Sequence, residues 1–263
     1  MKIDLTDVTF LILVRLDSVE RLENTVSVVS FLYKKYNTHI MILEVSAYNN
    51  GILKNVLKNK IEYIYYKDSD VIFHKTRFYN MMTKRVKTPV LALWDADVIA
   101  DYRQIEDSIS KLRNGDADIV FPYDGFLDVS MIIRNLYLQK KNVKLLHHYK
   151  EWMDLKYGSN FIGGAFFANK EKYINAGMEN ENFYGWGNAD YERFHRWEKL
   201  KYKIHRSKGA LYHLSHPRDL NGKYRSTQQY QTTVNYLQKT IASSDSEILN
   251  DISLFNASEE ILS

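Results

Sequence analysis

Val90-Leu-Ala-Leu-Trp94-Asp95-Ala96-Asp97 is the stretch on which the fold turns. Five apolar residues in a row, started by Pro89, read as a strand buried on both faces. The same kind of run recurs at residues 8–15, 40–45, 61–66 and 118–121. Helical patterns lie between them. Asp17-Ser18-Val19-Glu20 has capping-box spacing, and Leu22, Val26, Val29, Tyr33 and Tyr36 follow it at helical intervals. Residues 52–59 and 76–86 read as helices, and so do residues 102–114, with Ile105, Ile109 and Leu112 inward and Gly115 as the stop. This alternation predicts an α/β fold, a mainly parallel central sheet flanked by helices. Sites in such sheets gather at the carboxyl ends of the strands. Asp95 and Asp97 stand at one of those ends. Hard carboxylate oxygens in this spacing suit Mn²⁺ or Mg²⁺ and a ligand carried with it. The alternative is a solvated acidic turn.

Outward from the strand, residues 128–150 read as a helical, Lys-rich insert, to which no function is assigned. The next informative segment spans residues 161–197. Its apolar start is broken by Gly163 and Gly164, as where something approaches the backbone closely. A short helix at residues 170–176 ends at Gly177. Then comes Tyr184-Gly185-Trp186-Gly187-Asn188-Ala189-Asp190-Tyr191-Glu192. Asn188 is positioned to cap a helix whose first turn holds Asp190 and Glu192. The large flat Trp186 beside a carboxylate suits a sugar, whose C–H face stacks on an aromatic ring while its hydroxyls need acceptors; the alternative for Trp186 is plain core packing. For Asp190 the alternative is a helix-dipole acid, and for Glu192 a solvated helix residue.

Residues 202–205 and 210–214 read as short strands; His213 lies in the second and His216 follows it. Imidazole is a good ligand for Mn²⁺; for His213 the alternative is a packed strand histidine. Beyond residue 225 the chain is helical in pattern, interrupted at Ser243-Ser244-Asp245-Ser246. A domain of residues 1–225, with a nucleotide-binding part about 1–122 and an acceptor part about 159–225, and a helical appendage 226–263 are expected.

The 263 residues, 14% aromatic with 20 Tyr and 3 Pro, describe a packed globular chain. The net charge of +4 suits an anionic ligand or a membrane surface, and no long basic block points to nucleic acid. With no Cys there is no disulfide framework and no thiolate ligand or nucleophile. The start, Met1-Lys2-Ile3-Asp4, lacks a signal-peptide pattern, and a cytoplasmic protein able to rest on the inner face of a membrane is expected.

The segments at residues 95–97, 163–192 and 213–216 together resemble β-1,4-galactosyltransferases and related bacterial family 2 glycosyltransferases. Gly163-Gly164, Ala176-Gly177-Met178 and the Tyr184–Glu192 run match the family's Gly-Gly strand, Asn-Gly-Phe turn and Trp-Gly-Trp-Gly-Gly loop with its acidic run. Ala189 departs from the family's Glu, and Tyr191 from its third acid. The resemblance covers roughly residues 8–224, poorly over 124–158, and implies the GT-A fold and a UDP-sugar donor with Mn²⁺ or Mg²⁺. It implies Asp97 as direct metal ligand and Asp95 as a ribose or sugar contact. His216 falls on the family's metal-binding His and His213 on its metal-binding Met. It implies Asp190 as catalytic base and places Gly163, Gly164, Trp186, Asp190 and Glu192 at the acceptor. On the donor side, Arg15 and Asp17 fall where the family holds uridine, Glu44 ends the second strand, and Lys75 takes an Arg position with Arg77 nearby. The expected activity is inverting transfer of galactose or N-acetylgalactosamine from a UDP-sugar to a glycan or lipid-linked oligosaccharide of a bacterial surface polysaccharide. A silent UDP-sugar or glycan binder is the alternative. A nucleotide-sugar pyrophosphorylase is set aside because residues 11–20 hold no glycine for a triphosphate loop.

Overall fold

The structure is a computed structural model, and it describes residues 1–155, 161–217 and 224–260, with side chains to residue 253 in the last helix. In chain order it runs β1 (Ile3–Val14), α1 (Val19–Lys35), β2 (Tyr36–Ser46), α2 (Ile52–Leu57), β3 (Glu62–Lys67), α3 (Lys75–Thr83), β4 (Val90–Trp94), β5 (Val98–Ala100), α4 (Tyr102–Arg113), β6 (Ile119–Phe121) and β7 (Gly125–Val129). There follow α5 (Met131–Lys140), α6 (Val143–His148), β8 (Asp154–Leu155), β9 (Ala165–Asn169), α7 (Lys170–Asn175), α8 (Ala189–Lys199), β10 (Ile204–Arg206), β11 (Ala210–Leu214), α9 (Thr227–Ala242) and α10 (Asp245–Glu260).

The main sheet has seven strands in the order β10-β6-β9-β4-β1-β2-β3. All its neighbours are parallel except β9, which runs antiparallel between β4 and β6. The predicted class is thus observed, with β4 at the centre and buried along its whole length. Phe10, Trp94 and Phe167 meet edge to face from three adjacent strands, with centroids 5.4–5.6 Å apart. A second sheet, β5-β11-β7-β8, stands beside the carboxyl end of β4.

Several local readings shift. β1 begins at Ile3, because residues 3–5 pair with 36–38 before a register shift. In α1 the cap is Ser18, whose side chain accepts from Arg21 N, while Asp17 accepts from the Arg21 Nε. The buried stripe runs through Thr25, Val28, Val29 and Leu32, so Tyr33 faces solvent under the Lys2 ammonium. Tyr36 is already the start of β2. The insert opens with strand β7 before its helices, because Gly125 to Val129 pair in parallel with Ala210 to Leu214. Asn188 sits at the head of α8 in the left-handed region, φ 61°, and makes no side-chain cap. Its amide donates instead to Thr233 Oγ1 on α9 at 3.1 Å. Among the described residues, no helix is long and apolar enough to cross a membrane.

Candidate active site

A cleft of about 410 Å³ opens at the carboxyl ends of β1 and β4. The turn after β4 carries Asp95 and Asp97 into it, and the turn's shape depends on Gly164. Asp95 N donates to Gly164 O at 2.8 Å. Gly164 holds φ 88°, and a Cβ there would meet Leu211 Cδ2 at 2.9 Å, so a side chain is excluded on both counts. A Cβ on Gly163 would meet the Phe161 ring at 2.6 Å and Asp190 Oδ2 at 3.1 Å. Tyr123 donates to Gly163 O and fixes this backbone from beneath. The close approach expected at the paired glycines is therefore real, although the strand itself begins only after them.

Asp97, His213 and His216 bring one ligand atom each within 4.8 Å of one another. His216 Nε2 lies 3.0 Å from Asp97 Oδ2, and His213 Nε2 lies 3.9 Å from Asp97 Oδ1. His213 Nδ1 is engaged by Asp128 Oδ1 at 2.6 Å, which turns Nε2 toward Asp97. A carboxylate behind a ligating histidine fixes its tautomer and raises its basicity. Arg21 completes the cluster, 3.5 Å from Asp97 Oδ2. Burial works to raise the Asp97 carboxyl, but His213, His216 and Arg21 outweigh it and hold the group well below the usual carboxylate range. One carboxylate and two imidazoles, converging and backed by a further carboxylate, fit a divalent cation such as Mn²⁺.

Across the cleft, Asp190 opens α8 with its carboxylate 41% exposed. Arg193, one turn on, is 4% exposed and donates to Asp190 Oδ1 at 2.6 Å and to both oxygens of Glu179 at 2.7 Å. Its guanidinium lies over the Phe166 and Trp197 rings, 4.6 and 5.2 Å from their centroids. Burial disfavours the charge, yet Glu179 and Asp190 hold Arg193 above its ordinary value. Lys75 Nζ pairs with Asp95 Oδ1 at 2.8 Å, and Tyr79 donates to the same oxygen at 3.3 Å. Removal from bulk water works against the Lys75 charge, but Asp95 and Asp190 outweigh it and raise its pKa. Trp186 is 49% exposed on the cleft wall.

The cleft thus gathers Arg15, Lys75, Asp95, Asp97, Gly163, Gly164, Trp186, Asp190, His213 and His216 from the residues singled out in the sequence. Arg15 is held at its rim by Asp70 O at 2.8 Å and Asp68 at 3.2 Å. Four others are not in the lining. Glu44 is buried beneath it, accepting from Tyr63 at 2.8 Å. Arg77 lies on the surface against Tyr66. Asp17 is exposed and accepts from Arg21, which reaches the cluster, at 2.8 Å. Glu192 points into the body of the protein, paired with Arg196 at 3.0 Å with both side chains at most 3% exposed.

The family described as the N-terminal domain of galactosyltransferase matches residues 145–218. The catalytic domain of Drosophila β1,4-galactosyltransferase 7, solved in complex with xylobiose, superposes with a TM-score of 0.53 at 14% identity, over 86% of this chain and 79% of that one. The chain has the GT-A fold, and a stretch in its second half matches the galactosyltransferase family model. No curated protein matches it. The matched segment takes in Gly163, Gly164, Trp186, Asp190, His213 and His216, and leaves Arg15, Lys75, Asp95 and Asp97 outside. In this GT-A fold the turn after the central strand supplies one wall of the cleft and the segment that matches the family model the other.

Arg21, Asp128, Glu179 and Arg193 were not among the residues singled out in the sequence. Arg193 had a signal, its i,i+3 spacing from Asp190, and Glu192 with Arg196 had the favourable i,i+4 one. Asp128 and Arg21 meet the histidines across 85 and 195 residues of chain, and no local pattern marks such pairs.

Proposed function

We propose that the protein is a metal-dependent, inverting glycosyltransferase that uses a UDP-sugar. The observation that carries this is the convergence in one cleft of the Asp97–His213–His216 cluster, an accessible Asp190 and an exposed Trp186. Asp97, His213 and His216 would hold the divalent cation, which when bound supplies the positive charge that a departing diphosphate needs. Lys75 and Arg15 on the same wall add fixed positive charge for the phosphates. Asp95, held by Lys75 and Tyr79, accepts hydrogen bonds from the ribose or the donor sugar.

Trp186 offers the acceptor sugar an apolar face, which places a hydroxyl toward Asp190. Arg193 engages Asp190 Oδ1, so the acceptor's proton passes to Oδ2 as the hydroxyl oxygen bonds to the anomeric carbon. The bond from that carbon to the diphosphate breaks on the opposite side, which inverts the centre. The buried Glu179–Arg193 pair keeps Asp190 in place while the proton moves. Galactose or N-acetylgalactosamine is the proposed sugar. The proposed acceptor is a glycan or lipid-linked oligosaccharide of bacterial surface polysaccharide synthesis. The galactosyltransferase match over residues 145–218 supports the choice of sugar.

The test is UDP release from a panel of UDP-sugars with Mn²⁺, Mg²⁺ or chelator, with UDP binding titrated on the same samples. Metal-dependent release from one donor is expected and identifies the sugar. Failure of UDP to bind in the presence of either metal would sink the proposal.

A further inference from the structure

The mouth of the cleft carries more exposed aromatic surface than packing explains. Trp186 is 49% exposed, Tyr191 43% and Tyr224 42%. Single exposed aromatics are ordinary, but adjoining ones at the rim of one cleft form a surface that water solvates poorly. Tyr230, on the first turn of α9, joins them: it lines the cleft, and its ring lies 4.9 Å from that of Tyr224 with the planes 31° apart.

The placement of Tyr230 is built. Thr233 follows it by three residues, so both project from one face of α9. Thr233 is buried and accepts from the Asn188 amide at 3.1 Å, which ties that face to the head of α8. Gly187 holds φ 100°, and the position of a Cβ there is 3.6 Å from Tyr230 Cε2. The ring therefore rests against the backbone next to Trp186. A second tie comes from Arg225, whose guanidinium lies 5.5 Å from the Tyr184 ring centroid and 3.8 Å from Asp70.

We propose that Tyr230 and Tyr224 form an outer sugar subsite beyond Trp186, so that the acceptor is a glycan of at least two sugar residues. This rests on the glycosyltransferase reading for the identity of the inner subsite. Sugar C–H faces stack on aromatic rings, and a ladder from Trp186 to Tyr230 offers successive faces to successive sugars. A single sugar on Trp186 leaves Tyr230 and Tyr224 unused. A protein partner is the competing occupant. Trp186 and Tyr230 line a concave cleft around Asp190, and Tyr224 lies against Tyr230, which suits a chain entering the cleft rather than a surface covering it.

The test is saturation-transfer difference NMR on the full chain with Mn²⁺ and UDP. Its probes are xylose against xylobiose, N-acetylglucosamine against chitobiose, and glucose against cellobiose. At least one disaccharide is expected to bind about tenfold more tightly than its monosaccharide. Tyr230→Ala and Tyr224→Ala are each expected to remove that gain, and Tyr230→Phe, which keeps the ring, to retain it. Equal affinities within every pair, no disaccharide binding, or a gain that survives in both alanine variants overturns the subsite. UDP binding with Mn²⁺, titrated separately on the wild type, reports on the glycosyltransferase reading: its absence alongside a disaccharide gain sinks that reading and leaves the subsite standing.

Discussion

Two acid-x-acid pairs flank the cleft, and they meet different fates. Asp95 and Asp97 follow β4, and both line the cleft. Asp190 and Glu192 open α8, and only Asp190 lines it, with Glu192 locked to Arg196 inside the protein. Residues two apart on a helix point about 200° away from each other. When the first turn of a helix gives one acid to a cleft, the second must face the body. A turn after a strand has no such period, and the contact between Asp95 N and Gly164 O shapes it so that both carboxylates face one space. Equal spacing in sequence therefore has different meanings at a strand end and at a helix start.

The sharpest way to break this contrast is Asp190→Asn. It should lower kcat about 10²–10⁴-fold, the usual worth of a general base, while UDP binding with Mn²⁺ is kept. A fully active variant, read by UDP release, sinks the assignment. Its neighbour should behave in the opposite way. Glu192→Gln leaves Arg196 buried with no carboxylate and should cost about 3–5 kcal/mol of stability, read by urea unfolding, with the folded fraction still turning over. Unchanged stability with lost transfer would move Glu192 from the body to the chemistry. On the strand side, Asp128→Asn removes the negative charge behind His213 Nδ1 and should weaken Mn²⁺ binding about 10–100-fold. Titration of free Mn²⁺ by electron paramagnetic resonance measures it, and unchanged affinity would remove His213 from the cluster. The smallest effect belongs to the turn itself. Gly164→Ala places a side chain at φ 88° and should cost about 1–3 kcal/mol, seen as a lower melting temperature. An unshifted midpoint would show that the turn does not need the glycine.

The same contrast explains what the sequence could reveal. β4 and β11 have the bounds that their apolar runs predict, because strands buried on both faces are mostly apolar from end to end. The Asp-x-Asp turn and His216 were legible for that reason: they follow directly on such runs. Where elements are half-buried, the reading drifted. Tyr33 was placed on the inner stripe of α1 because its ring is apolar, but the Lys2 ammonium gives that ring a favourable partner at the surface. β7 has no local signal, and its last two residues fall in the stretch that reads as helix, because Gly125 to Val129 is a strand only by virtue of Ala210 to Leu214, far along the chain. Glu192 was offered to the acceptor because a resemblance aligns residues without saying which way a helix is rotated. The i,i+4 spacing to Arg196 held the contrary information.

The place of β9 in the main sheet has a consequence for biosynthesis. Among the described residues, β6 pairs in the sheet with β9 and β10 alone, and both lie downstream of it. While the first 122 residues leave the ribosome, β4 has no partner on one side and β6 has none at all. An N-terminal half that looks like a self-contained nucleotide-binding unit therefore carries a raw sheet edge, open to unwanted pairing. The edge closes only when residues 165–169 emerge, and these directly follow the glycines on which the cleft depends. Completion of the sheet and assembly of the cleft are thus one event in the life of the nascent chain, and a ribosome that stops before it releases neither.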